Sequence, residues 1–376
     1  MNEFRLIDAV MPDVPPPGPG EVADVRRRIL DGRRHRRAPL GVLSSGWGRG
    51  LVIAAATVAV IGVAVVVPHT GGGTITTVTR TDAEVLDAAA DRLAQRRESE
   101  GRYWRREMEQ VYRQRLGSES SGYFIENRTR DVLWEGEGLR RVTEVRDLGT
   151  RPLTDTDAER WREVGSPRLC RADTDCANDM PPSGKTLYSP DAPGVFEQAP
   201  MKLGVKEIRE LPRDTEELKT RLLSYWPAVQ AEMQERAERT WDQERLPSRD
   251  NWLWGVGQRL LLDAPTTPGT RAALYRMLAG LPGARVVDGI RDAEGRTGVA
   301  VLWAEKGSAE SQLVIDRATG ELLAVQNVLP TFVPGAPEIP RGIAYHSMLV
   351  KKAGWTSDEP AVPKGCAPQT IEKCLR

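Results

Sequence analysis

Few side chains in this sequence have the types and spacing that chemistry requires. His346 is the only histidine beyond residue 81, and an imidazole without a neighbouring nucleophile reads as a packed or surface residue rather than a general base. Gly184-Lys185-Thr186 matches the end of a phosphate-binding loop. The first glycine of that motif would fall at 179, where Asp179 stands, and the flanks are proline-rich. A phosphate loop instead needs a strand before it and a helix after it. There is no Gly-x-Ser-x-Gly elbow, no His-Glu-x-x-His and no dinucleotide fingerprint. Carboxylates are plentiful, but no spacing singles out an acid–base pair. The sequence therefore assigns no catalytic, cofactor-binding or metal residue and no cofactor, and the chain reads as non-enzymatic.

Two residue types remain. Ten tryptophans stand against four phenylalanines; their indoles suit a groove for an apolar or sugar ligand, or else core bulk. The four cysteines, Cys170, Cys176, Cys366 and Cys374, all lie in the C-terminal three-quarters. An even count fits disulfides in an oxidising compartment. Short loops 170–176 and 366–374 are the simplest pairing, with two other connectivities open. Neither pair has Cys-x-x-Cys spacing, which argues against zinc.

The elements that would position these residues follow from periodicity. Thr81–Gln95 has a helical apolar stripe (Ala83, Leu86, Ala90, Leu93). Tyr103–Arg113, Tyr123–Trp134 and Leu139–Leu148 read as strands. Residues 150–200, rich in Pro, Asp and Gly, read as an irregular disulfide-bearing insertion. Asp214-Thr215-Glu216-Glu217 resembles a capping box before Leu218, Leu222, Trp226, Val229 and Met233 at helical spacing. Leu253, Val256, Leu260 and Leu261 mark a second helix. Pro268 opens a third, with Ala273, Leu274, Met277 and Leu278 inward and Leu281-Pro282-Gly283 as its stop. The strands 284–287, 298–304, 311–315 and 321–328 follow, joined by turns at Asp292–Gly295 and Asp316–Gly320, and 342–352 is a final strand. The fold class expected is α+β: a curved antiparallel sheet with helices packed on one face.

Upstream, Leu51–Val67 (LVIAAATVAVIGVAVVV) is uncharged and almost wholly apolar, and long enough to cross a bilayer core as a helix. Its length before Pro68 and the long segment preceding it disfavour a cleaved signal, and its lack of a polar face disfavours a core helix. Arg26, Arg27, Arg28, Arg33, Arg34, Arg36, Arg37 and Arg49 precede it against one acid, Asp31. By the positive-inside rule the N-terminus lies in the cytoplasm. The expected organisation is a cytoplasmic tail over 1–49, a transmembrane helix over 50–68, a linker over 69–81 and an extracytoplasmic domain over 82–376. That places the protein in the plasma membrane, single-pass, with membrane lipid as a partner. The chain carries 53 basic and 53 acidic residues. With 10 and 6 of these in residues 1–80, the rest holds 43 and 47. This mildly acidic balance gives no footprint for nucleic acid.

Three stretches together resemble a known family: Met1–Pro17, the apolar run, and Arg271–Val287 with Gly295–Val301 and Val314–Leu323. The family comprises uncharacterised single-span membrane proteins of high-GC Gram-positive bacteria, often encoded beside RNA polymerase sigma factors. It has no established activity, so no site residue carries over. A more distant likeness, in element order, is to the lipoprotein-carrier fold of periplasmic sigma-factor regulators. The resemblance implies a membrane-anchored, non-enzymatic sensor in sigma-factor or envelope-stress signalling, with residues 1–49 contacting a cytoplasmic regulator such as a sigma factor and the outer domain a lipid or protein ligand. The alternative expectation is an anchored carrier of an apolar ligand, and the third a cell-envelope hydrolase.

Overall fold

The computed structural model describes residues 81–376 except 118–120, 170–183, 194–195, 199, 241–247, 306–307, 330–338, 341 and 368–370. All described residues belong to one contact unit, Thr76–Arg376. The elements in chain order are α1 (Asp82–Ala94), β1 (Tyr103–Leu116), β2 (Tyr123–Glu135), β3 (Arg140–Pro152), α2 (Asp155–Glu163), β4 (Thr186–Pro193), β5 (Phe196–Gln198) and β6 (Met201–Leu203). Then come α3 (Val205–Arg209), α4 (Thr215–Leu223), α5 (Trp226–Thr240), α6 (Arg249–Asp263), α7 (Pro268–Ala279), β7 (Arg285–Arg291), β8 (Thr297–Trp303), β9 (Glu310–Ile315), β10 (Leu322–Val328) and β11 (Ala344–Thr356).

The domain is α+β. Nine strands form one open sheet in the order β4-β3-β2-β1-β11-β10-β9-β8-β7, and β5 pairs with β6 apart from it. Every pairing is antiparallel. Most neighbours are consecutive strands, with α2 lying between β3 and β4 in the chain. The exception in order is β1 against β11, which joins residues 103–112 to 346–356 and makes two meanders one sheet.

Alternation along β8 shows how the sheet is sided. Val299, Val301 and Trp303 pack with the helices, whereas Ala300 and Leu302 enter a smaller apolar cluster on the other face with Val111, Val314, Ala324 and Leu349. The helix-side core draws Leu86, Ala89, Ala90 and Leu93 from α1, Leu218 and Leu222 from α4, and long runs of α6 and α7. Each leucine or valine so buried contributes about 1.5–3 kcal/mol.

The helices start where their caps dictate. Thr81 and Glu84 form a capping box on α1. Asp214 accepts from the N–H groups of Glu216 and Glu217, and Ser248 from that of Asn251 at 3.1 Å. Thr267 caps α7, with Pro268 in its first turn. Trp254 stacks on Trp303 at 5.5 Å, and Trp226 lies 5.9 Å from Trp252. Most tryptophans with described side chains are core bulk.

The expectation of a transmembrane helix is corrected. No helix among the described residues is long and apolar enough to cross a membrane. The longest, α5 and α6, have 15 residues each and carry charges along their length, whereas a span needs about 20 apolar ones. Leu51–Val67 and the arginines from Arg26 to Arg49 lie outside the described residues. With no described span, the single-pass plasma-membrane location, the membrane-lipid partner, the anchored sensor and its sigma-factor contact, and the anchored carrier lose their support and are withdrawn.

Cys366 and Cys374 are joined by a disulfide, with Cα atoms 4.6 Å apart; Cys170 and Cys176 lie outside the described residues. The bridge pins the C-terminal segment over β2–β4. Cys374 packs with Val132, Trp134, Val142 and Tyr188, and Thr186 and Arg376 exchange two backbone hydrogen bonds of 2.8 Å. The segment thus covers part of the β4 edge, which would otherwise offer unpaired backbone groups. Replacing both Cys366 and Cys374 by alanine should lower stability by about 2 kcal/mol, the loop entropy of so short a closure. Urea denaturation reads this, and an unchanged midpoint would show that the staple adds nothing.

Candidate functional site

Where the ends of the two meanders meet, a cavity of about 230 Å³ opens against the helix layer. Register brings Trp104 of β1 opposite Trp355 of β11, and their rings meet edge-to-face at 5.9 Å. Leaving α1, the chain lays Arg96, Arg97, Glu98 and Ser99 along the rim. The Ser99 hydroxyl accepts from the Trp355 backbone N–H at 2.8 Å, fixing that rim to the strand. The floor is the start of α7, with Thr266, Pro268 and Arg271, and the β9–β10 hairpin adds Glu321.

Arg271 is the unusual member. It sits among Ala272, Ala273, Leu274 and Tyr275 and is only 5% exposed. A buried guanidinium needs close partners to offset its lost hydration. Its Nη1 donates to Glu321 Oε2 at 3.4 Å and its Nη2 to the Leu261 carbonyl at 3.3 Å, both longer than the usual N–H···O range. Its Nε has no partner. Glu321 is shared, since Arg96 also bonds it. One turn along α7, Tyr275 is fully buried with an unpaired hydroxyl, and burial pushes that phenol well above its ordinary range.

Three further polar atoms in the same walls are sealed from solvent without a partner: Glu98 Oε1, Trp104 Nε1 and Trp355 Nε1. The other Glu98 oxygen accepts from Arg209 at 2.9 Å, and that guanidinium lies 5.0 Å over the Trp355 ring. Among the lining side chains, arginines 96, 97 and 271 face glutamates 98 and 321, an excess of one positive charge. The first turn of α7 adds its partial positive charge. Indole N–H groups, a buried guanidinium and a positive balance suit an anion.

Elsewhere the buried charges are paired, although Arg106, Arg130 and Arg141 each keep an unpaired Nε. On the opposite sheet face, Glu126 is 3% exposed and is held by Arg113, Arg128 and Arg151. Burial alone would raise its carboxyl, but the hydrogen bonds and charges of Arg128 and Arg113 hold it below the usual range. Burial raises Glu135, and the Arg141 charge offsets that only in part. Among the described residues no group of three His, Cys, Asp or Glu side chains could hold a metal.

No family model, curated protein or solved structure matches this chain. The site therefore has to be judged on its own geometry. His346 packs 6.0 Å from Tyr112 on neighbouring strands, away from the cavity lining. Gly184-Lys185-Thr186 leads into the edge strand β4 rather than a helix, which removes the phosphate-loop reading. Of the tryptophans, Trp104 and Trp355 line the cavity. The arginines and glutamates of the site were not singled out in the sequence. One signal was present: Arg271 is three residues before Leu274 and seven before Leu278, so it shares the inward stripe of α7.

Proposed function

We propose that the domain over 82–376 is a recognition module that binds a small anionic ligand in the Arg271 cavity without turning it over. The observation that carries this reading is the set of three unpaired donors, Arg271 Nε, Trp104 Nε1 and Trp355 Nε1, in the walls of one positively balanced cavity. Buried polar groups in folded proteins are nearly always paired, so several orphans around one space mark a place where a partner belongs. The indoles supply apolar walls and a built-in optical probe, since Trp104 and Trp355 both contact the space.

Titrating the full chain with acetate, N-acetylglycine and inorganic phosphate, read by tryptophan fluorescence, tests the reading. At least one anion should give a saturable change. Arg271→Gln should weaken it by about tenfold or more, the worth of one charge-assisted hydrogen bond. Arg271→Lys, which keeps the charge, should retain part of the binding and control for misfolding. Saturable binding unchanged in Arg271→Gln, or none to any anion, would overturn the reading and leave ordered water as the cavity's occupant.

A further inference from the structure

We infer that the group seated at Arg271 is a single carboxylate carried on a compact apolar or aromatic body; this rests on the anion-binding reading above and narrows it. The acids in the wall are the first argument. Glu98 and Glu321 both line the space, and Glu98 is already held by Arg209. A tetrahedral phosphate carries oxygens on every side and cannot turn all of them away from these carboxylates, whereas a planar carboxylate presents its two oxygens on one edge only.

Donor geometry is the second argument. Arg271 spends one Nη1–H on Glu321 and one Nη2–H on Leu261, and its Nε–H is unpaired. The Nε–H is therefore free, and Nη2 has a second hydrogen beyond its one bond. A guanidinium offering Nε–H and Nη2–H side by side matches the two oxygens of a carboxylate. The Nε–H is sealed from solvent. Two lining side chains, Arg96 and Glu321, are 52% and 31% exposed and can part to admit an oxygen.

Size and wall chemistry supply the third. About 230 Å³ is smaller than the roughly 300–1,000 Å³ of pockets for drug-sized ligands, so the space suits one amino-acid-sized group. The rings of Trp104 and Trp355, with Leu93, Pro268 and Ala353, give that body apolar contacts. A free small carboxylic acid and the C-terminal residue of a polypeptide present the same chemistry.

The experiment compares four probes on the full chain by tryptophan fluorescence: N-acetylphenylalanine, its amide, inorganic phosphate, and a tetrapeptide ending in phenylalanine with a free carboxylate. N-acetylphenylalanine should bind about tenfold tighter than its amide and tighter than phosphate. Equal binding of the tetrapeptide supports the inference with a chain end as the source; binding of the small acid alone supports it with a free carboxylate. Glu321→Gln removes one of the two carboxylates lining the space and should shift preference toward phosphate, while Arg271→Gln abolishes the acid-over-amide preference. Phosphate binding tighter than the acid would overturn the inference and leave the anion-binding reading standing. Equal binding of acid and amide would also overturn it, and no binding of any anion would overturn both.

Discussion

Replacing Arg106 by alanine should destabilise the domain by about 3–5 kcal/mol, the cost of removing one partner from a buried charge cluster. Arg106 lies on the helix side of β1, two residues from Trp104, and is 7% exposed. Its Nη2 donates to Asp131 of β2 at 2.5 Å, and its Nη1 bonds Asp263 at the end of α6. Asp131, 6% exposed, also receives Gln110 Nε2 at 3.3 Å. One guanidinium thus ties two strands to the helix layer; its loss leaves the buried Asp131 carboxylate without its cation, while Asp263 keeps Arg259 at 3.6 Å. Arg106→Lys keeps the charge but loses the fork, and should cost less than the alanine variant. Guanidinium chloride would mask the ion pairs, so urea denaturation is the right measurement. A loss below about 1 kcal/mol for Arg106→Ala would place the cluster with exposed pairs, which contribute little.

The parts of this fold visible in the sequence are those set by local rules. The turns at Asp292–Gly295 and Asp316–Gly320 are where expected because each supplies a glycine with positive φ, 80° and 74°, and an aspartate that accepts from the turn's own N–H groups. The continuous stripe from Leu218 to Met233 is, in contrast, two helices. It breaks between Leu223 and Trp226, where Pro227 offers no N–H to continue the first helix. Residues 150–200 hold more than an irregular insertion. Thr154 and Asp157 cap α2, a signal hidden in acidic, turn-like composition. Strand β4 contains Pro190 and Pro193, which an edge strand tolerates because one side of its backbone needs no partner.

The candidate site was least legible because its residues come from positions 93 to 355. The β1–β11 pairing that assembles them is a long-range closure. Nothing in a window of ten or twenty residues encodes it, since the cost and reward of that contact belong to the whole chain. What a window does show is a misfit: an arginine on the apolar stripe of α7. A misfit of that kind is where local consistency yields to function.

The β9–β10 turn packs on α1 at a tight point, Gly320, and Gly320→Ala should cost about 2–4 kcal/mol, combining left-handed strain with overpacking. The residue has φ +74°, and a Cβ there would lie 2.2 Å from the Ala89 carbonyl oxygen and 2.7 Å from Leu93 Cβ. Neither neighbour yields easily, because α1 is tied to α7 by Arg276, which bonds Asp87 at 3.1 Å and Asp91 at 2.7 Å. The hairpin cannot back away either, since Asp316 and Glu321 close it with a backbone bond of 2.8 Å. Gly295 is the internal control: its φ is +80°, but a Cβ there meets nothing within 4 Å. Gly295→Ala should therefore show strain alone, about 1 kcal/mol. The difference between the two variants in urea isolates the contact with α1. Because Glu321 follows Gly320 and pairs with Arg96 and Arg271, Gly320→Ala should also weaken anion binding, whereas Gly295→Ala should leave it unchanged. Equal stability losses in the two variants would mean that α1 gives way, and that the cavity rim it carries is softer than its ion pairs imply.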